Sequence, residues 1–375
     1  MDLFITCGQA LEEVLQQELI ALGYPWAVTG FRGVSVSDVG LNDIYRINYL
    51  SRVGGRVLLP LARFYCKDDR GLYMGAGKID WRDYIPSGKS IAIDANVNHT
   101  NIRNSLYAAQ VVKDAICDQL RESLGYRPNV DVKNPDVQLN LYITDNRAIL
   151  SFDTSGSSLN KRGYRQEFTE ASMQENLAAA LLQIGGFNGS EIFCDPCCGS
   201  GTLLIEAALM AAKIAPGFLR TKWGFQYLPE HSNEKWLKVK AEIDSQRVDL
   251  EPGKIFGADI NKQAVHATKV NLRAAGLHRF VEVIQSDIRD YTPPTAPNFL
   301  MTNPPYGRRL DEDKQLWMLY QEIGDFMKQK MSKPSKGFVF TGNLDLAKEV
   351  GLTPNRRHVL STGGLEARLL EFDVY

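Results

Sequence analysis

Four stretches in the second half of the chain end in residues that could together hold one ligand. In "DPCCGSGTLL" (195–204), Gly199 and Gly201 let the backbone turn sharply and come close to a bound group. The helix expected after them adds free N-terminal amides. "GADIN" places Asp259 where an acid could accept two ribose hydroxyls. "QSDI" places Asp287 beside the position of an adenine amine. The fourth stretch, "TNPPYG" (302–307), sets an amide, two rigid rings and a phenol after an apolar run. Its prolines cannot continue a helix, and they remove two backbone donors from any sheet. The set fits one adenosine-containing cofactor whose reacting group is delivered toward Asn303.

Simpler readings exist for each piece. "GSGT" lacks the lysine of a phosphate-binding P-loop, and "DPCCGSG" does not give GxGxxG spacing. The loop alone could be a glycine-rich turn with no ligand. A lone Asp is more often a helix cap. Four successive strand ends reading Asp, Asp, Asp and Asn-Pro-Pro-Tyr are harder to set aside.

The elements that position these residues follow from pattern. From residue 172 onward the chain repeats strand, loop, helix: "EIFCD" then "GTLLIEAALMAAKIA", "KIFGADI" then "KQAVHATKVNLRAAG", "NFLMTN" then "KQLWMLYQEIGDFMKQKM". Such spacing predicts a mostly parallel, doubly wound sheet, with ligands at its carboxyl ends. "EARLLEFDVY" is expected to add a closing strand. Residues 214–252, with Trp223 and Trp236, look like an insertion that either stacks on a partner or packs as a lid. Before residue 155, strand-like and helix-like runs alternate in an α+β manner. "SGSSLNKRGYR" (155–165) then reads as a polar connector.

Composition narrows the class. The chain has 375 residues, long enough for two or three cores, with 44% hydrophobic and 23% charged residues, as in ordinary soluble proteins. There is no membrane-length apolar run and no basic secretory leader. The six cysteines (7, 66, 117, 194, 197, 198) form no disulfide framework, which suggests a reduced cytoplasmic setting. "CDPCC" has no second ligand pair at zinc spacing, so no metal is expected. Net charge is −1, yet residues 46–82 carry eight bases against three acids. That local excess is either a phosphate-facing surface or a solvated face balanced elsewhere.

"DPCCGSG", "GADIN", "SDI" and "NPPYG" resemble the S-adenosylmethionine motifs of class I amino-methyltransferases, and "NPPY" is typical of those acting on exocyclic amines. More narrowly, "DTSGSSLNKRGYR", "ENLAAALL", "DPCCGSGTLLIEAA", "APGFLRTKWGF" and "NPPYGRRL" are similar to RlmL-type 23S ribosomal RNA guanine-N2 methyltransferases. The resemblance implies a Rossmann-like α/β methyltransferase domain over 172–375, after a connector at 156–171. A ferredoxin-like segment (1–60) and an RNA-binding THUMP domain (61–155) would precede them. Some members carry a second methyltransferase behind the first; here the chain stops at Tyr375, and one methylation activity is expected.

By this resemblance S-adenosyl-L-methionine contacts Asp195, Pro196, Cys197, Gly199, Ser200, Gly201, Asp259, Ile260, Asp287 and Ile288. Asn303, Pro304, Pro305 and Tyr306 are the catalytic tetrad. Lys161, Arg162, Tyr164, Arg165 and Arg308 are RNA-contact candidates, with large-subunit ribosomal RNA as partner. The chemistry suits these types. A ring amine is a poor nucleophile because its lone pair is delocalised. The Asn303 amide oxygen and the Pro304 carbonyl can accept its two N–H bonds and turn the lone pair toward a sulfonium methyl. Tyr306 can stack on an extruded base. Two other readings stay open: a DNA adenine-N6 methyltransferase, and a catalytically silent RNA-binding protein.

Overall fold

The computed structural model describes residues 1–169, 172–307, 313–362 and 365–375. In the N-terminal half, β1 (Leu3–Thr6), α1 (Glu12–Ala21), β2 (Val28–Gly30), β3 (Gly33–Val36) and α2 (Leu41–Leu50) lead into β4 (Val57–Tyr65). Then come α3 (Asp69–Ala76), β5 (Ser90–Asn98), α4 (Ser105–Leu124), β6 (Asn129–Val130), β7 (Val137–Thr144) and β8 (Arg147–Asp153). The strands make one sheet in the order β2-β3-β1-β4-β8-β7-β5-β6. β4 pairs with β1 through Val57 and Leu58, and with β8 from Leu58 to Tyr65. The boundary expected between residues 60 and 61 therefore falls inside a shared strand. Pro60 is tolerated there because the register slips between Pro60 and Ala62, a bulge beside a residue with no N–H to donate.

Local sequence explains the helices that flank this sheet. The Asn104 side chain accepts the Tyr107 N–H and starts α4, and Gly125, at φ 75°, ends it. Between them Ala108, Val112, Ala115, Ile116 and Leu120 make one buried stripe at helical spacing.

The second half runs α5 (Glu175–Ile184), β9 (Phe193–Asp195), α6 (Thr202–Ala211), α7 (Asn233–Asp244), β10 (Ile255–Asp259), α8 (Lys262–Ala274) and β11 (Val281–Gln285). It continues with β12 (Phe299–Thr302), α9 (Asp313–Lys330), β13 (Ser335–Thr341), α10 (Leu344–Glu349), β14 (Arg356–Thr362) and β15 (Leu365–Val374). The order is β11-β10-β9-β12-β13-β15-β14, with β9 to β13 parallel and β15 antiparallel to both its neighbours. This is the doubly wound, Rossmann-like sheet expected. The terminal strand, however, lies inside the sheet: β14, which the pattern did not reveal, forms the edge outside it.

Side chains of α5, α6 and α8 share one core with the N-terminal half, while α9 and α10 cover the other face of the second sheet. The insertion joins the shared core. Trp223 (3% exposed) and Trp236 (6%) pack with Tyr45 and Tyr49 of α2 and with Phe225. Of the two expectations for those tryptophans, stacking on a partner is ruled out by their burial.

Candidate active site

The chain order reverses at β9, whose neighbours are β10 on one side and β12 on the other. A crevice at the carboxyl ends is the geometric consequence, and a cleft of about 1520 Å³ lies there. Asp195, Pro196, Cys197, Gly199, Ser200, Asp259, Ile260, Asp287, Ile288 and the 303–306 tetrad all line it. Of the expected cofactor and catalytic residues, Gly201 alone does not.

Gly201 instead shapes the loop from behind. Its φ is 81°, and a β-carbon there would lie 2.5 Å from Thr268 Cγ2 on α8. Only glycine allows both the left-handed turn and the close approach. Thr268 also donates its hydroxyl to the Gly199 carbonyl at 2.7 Å. Asp259 fixes the loop from the next strand: Oδ2 accepts the Gly199 N–H at 2.8 Å and Oδ1 the Asn261 N–H at 2.9 Å. Burial raises the Asp259 carboxyl, and these two N–H bonds oppose the rise. Each oxygen keeps a lone pair for a ligand hydroxyl. Beside it Ile260, 66% exposed, gives the cleft an apolar wall suited to a flat ring.

Asp287 is more engaged than expected. Arg289 donates Nε to Oδ1 at 3.0 Å and Nη2 to Oδ2 at 2.6 Å, and its backbone N–H adds a bond of 3.0 Å. These bonds hold the Asp287 carboxyl below its ordinary range. Asp195 is in the opposite condition. It is 2% exposed, and desolvation pushes its carboxyl up to about 7, against the hydrogen bonds from Thr302 and Cys197. Oδ1 accepts the Thr302 hydroxyl at 2.7 Å and the Cys197 N–H at 3.1 Å. Asp195 thus ties the end of β9 to the end of β12, one residue before Asn303.

At that end the Asn303 Oδ1 is buried and has no hydrogen-bond partner among the described residues. Pro304 is buried, Pro305 exposed and Tyr306 half-buried. The Tyr306 ring rests against Gly342 after β13, where a β-carbon would come within 3.2 Å of Cε2. Burial raises the thiols of Cys194, Cys197 and Cys198 well above their ordinary range, so none is a ready thiolate. Among the described residues no cluster of side chains has metal-ligand geometry.

The profile described as "RMKL-like, methyltransferase domain" matches residues 162–369. The chain belongs to the RMKL-like methyltransferase family. A THUMP domain profile matches 66–153, and an RlmL ferredoxin-like domain profile matches 2–58. A ribosomal RNA large subunit methyltransferase K/L of Syntrophotalea carbinolica is 38% identical over 99% of this chain and 53% of its own length. The chain spans about half the length of such curated relatives. A Synechocystis sp. protein described as an RNA methyltransferase is 35% identical over 99% of this chain and 96% of its own length. Among solved structures, SMU.472, described as a methyltransferase and complexed with SAH, superposes with TM-score 0.87 at 28% identity, covering 100% of this chain and 98% of that one. A Listeria monocytogenes protein described as an N6-adenine-specific DNA methylase gives TM-score 0.88 at 26% identity, covering 100% and 96%.

In this family member Arg162, Tyr164 and Arg165, in the stretch read as a connector, form an internal clasp, which corrects the RNA-contact expectation for these three. Arg162 is 1% exposed: it donates to the Leu159 and Arg52 carbonyls and pairs with Glu206 of α6 at 3.5 Å. Tyr164, equally buried, donates its hydroxyl to the same Glu206 at 3.0 Å. Arg165 is held by Glu175 at 2.7 Å and donates to Ser200 Oγ and Thr202 Oγ1, bracing the start of α6. Arg162 and Tyr164, buried with internal partners, cannot meet a phosphate, and the Arg165 guanidinium is spent on Glu175, Met173, Ser200 and Thr202. Lys161 is exposed, and Arg308 lies outside the described residues. Sequence reasoning also missed Thr302 and Thr268, and Phe168, Thr169, Ser172 and Met173, which line the cleft. Thr302 stood in the quoted hexapeptide, but nothing local signals its partner.

Proposed function

We propose that this chain transfers a methyl group from S-adenosylmethionine to the exocyclic N2 of a guanine in large-subunit (23S) ribosomal RNA. The observation that carries this reading is the Asn303 Oδ1, a buried acceptor with no protein partner, in the same cleft as the glycine loop. A bare buried acceptor costs about 1–3 kcal/mol. Its retention fits a donor that arrives with the substrate, and an amine is such a donor. The names of the K/L relatives and the SAH complex of SMU.472 support both substrate and cofactor. An RNA substrate and six free cysteines fit a reduced, cytoplasmic setting.

When bound, S-adenosylmethionine supplies an electrophilic methyl group. Asp259 offers lone pairs to the ribose hydroxyls, and Ile260 and Ile288 enclose the adenine. Asp287, already forked by Arg289, meets the adenine edge with what acceptor capacity remains. Asn303 Oδ1 accepts one N–H of the target amine and the Pro304 carbonyl the other, which frees the nitrogen lone pair from the ring. Neither proline adds a competing donor. The face of Tyr306 turned away from Gly342 receives the extruded base. The proton passes to water after transfer, since methylation acidifies the amine. Positioning supplies most of the acceleration.

The Listeria neighbour favours one second reading, adenine N6 in DNA, which would use the same two acceptors. The THUMP match favours RNA. The test is incubation of the chain with S-adenosylmethionine and either protein-free large-subunit RNA or duplex DNA, followed by nucleoside mass spectrometry. N2-methylguanosine in the RNA is expected. N6-methyladenine in DNA with unmodified RNA would move the assignment to the second reading.

A further inference from the structure

The helices α3 and α4 cover one face of the N-terminal sheet, and the other face stays open over the outer halves of β4, β8, β7 and β5. Register places its side chains in rows. Arg63 stands opposite Ile149, which stands opposite Tyr142, and Tyr142 opposite Asn96. The next row runs Tyr65, Arg147, Thr144, Asn98. Neither row contains an acid. Tyr65 is 64% exposed; Arg63, Arg147, Asn96 and Asn98 are exposed, and Tyr142 is half-buried.

These six polar and aromatic side chains take part in none of the hydrogen bonds or ion pairs among the described residues. Other bases of the 46–82 stretch are differently placed. Arg46 pairs with Glu242, Arg56 with Asp153 and Arg82 with Asp80, while Arg52 donates to the Ile214 carbonyl. Ile149 is the only large aliphatic side chain in the two rows, so the face lacks the apolar patch of a protein interface.

We propose that this face is a platform for single-stranded RNA. Tyr65 and Tyr142 present rings on which unpaired bases stack, Arg63 and Arg147 meet phosphates, and Asn96 and Asn98 reach base edges. The rings are set into a flat sheet, so they can stack only on bases already out of a helix. A duplex would meet the arginines and asparagines but could not use the rings. The proposal rests on RNA being the substrate, and it replaces the internally bonded Arg162, Tyr164 and Arg165 as the contact surface.

The test is fluorescence anisotropy of the full chain with a labelled, mixed-sequence single-stranded oligoribonucleotide, and with the same strand annealed to its complement. The parent chain is expected to prefer the single strand. Tyr65→Ala/Tyr142→Ala should weaken binding at least ~5-fold per ring without changing the salt dependence. Arg63→Gln/Arg147→Gln should lower the slope of log affinity against log salt by ~1.4. Both variants should melt with the parent, because these side chains hold nothing internally. Equal binding of duplex and single strand, no binding of either, or parent-like binding by both double variants would overturn the proposal. None of those outcomes bears on methyl transfer, which is read separately by mass spectrometry. Binding as expected by a chain that methylates no RNA would instead remove the enzyme reading and keep this surface.

Discussion

Asp195 carries an unusual proton for a carboxyl group. Its ordinary value is about 3.9, and burial lifts it to about 7 in the folded chain. The folded state therefore holds a proton that the unfolded state has lost between about pH 4 and 7. Stability from this group is present below that window and falls as pH rises through it. Asp195→Asn keeps an oxygen for Thr302 and Cys197 but has no proton to lose. Urea midpoints at pH 5 and pH 8 should fall less in the variant than in the parent; an equal fall would mean that Asp195 titrates normally. Tyr306 should act through its ring alone. Tyr306→Phe should leave KM for RNA within a few-fold, and Tyr306→Ala should raise it roughly 5–150-fold, the range for a lost stacking partner. Steady-state methylation measures both, and a large effect of the Phe variant would assign the hydroxyl a role.

The glycine loop works only because α8 stands directly behind it. Gly201→Ala adds a β-carbon in a left-handed turn and drives it into Thr268 Cγ2. A cost of about 1–3 kcal/mol is expected, together with weaker cofactor binding. Thr268→Ser removes the clashing methyl but keeps the hydroxyl donated to Gly199, so the double variant should recover part of the loss. Thermal unfolding and calorimetry read both effects, and no recovery would place the cost in the backbone alone. Strand ends of this kind were legible in the sequence, since glycine and proline punctuate short apolar runs. The ties between them were not. Thr302 and Asp195 are 107 residues apart and meet only because β9 and β12 are neighbours. β14 escaped for a related reason: "RRHVLST" has no apolar alternation, with Val359 exposed and Leu360 buried, and what makes it a strand is pairing with β15.

At the scale of the molecule, the two halves share a core, and an ion pair of the second half is buried beside it. "KRGYR" read as an RNA contact because its three cations are local, whereas the acids that pair with two of them, Glu206 with Arg162 and Glu175 with Arg165, come from α6 and α5. Arg162 and Glu206 are both fully buried. Arg162→Met would strand a carboxylate, and a loss of about 3–5 kcal/mol is expected. Arg162→Met/Glu206→Gln should unfold closer to the parent, because the carboxylate goes with its partner and the Arg52 guanidinium beside them keeps Glu18. Urea denaturation of the full chain compares the two, and equal losses would show that packing, not charge, sets the cost.

Single-turnover methylation of protein-free large-subunit RNA, with RNA and S-adenosylmethionine both saturating, tests the role of the Asn303 oxygen most directly. The buried, unpartnered Oδ1 is expected to receive the target amine. Asn303→Ala should slow the chemical step ~10²–10³-fold, by analogy with loss of one oxyanion-hole donor. Cofactor affinity should stay within a few-fold of the parent, and Asn303→Asp, which keeps an acceptor, should fall between. Transfer at the parent rate by Asn303→Ala would contradict the assignment of this oxygen, and with it the amine chemistry built on it.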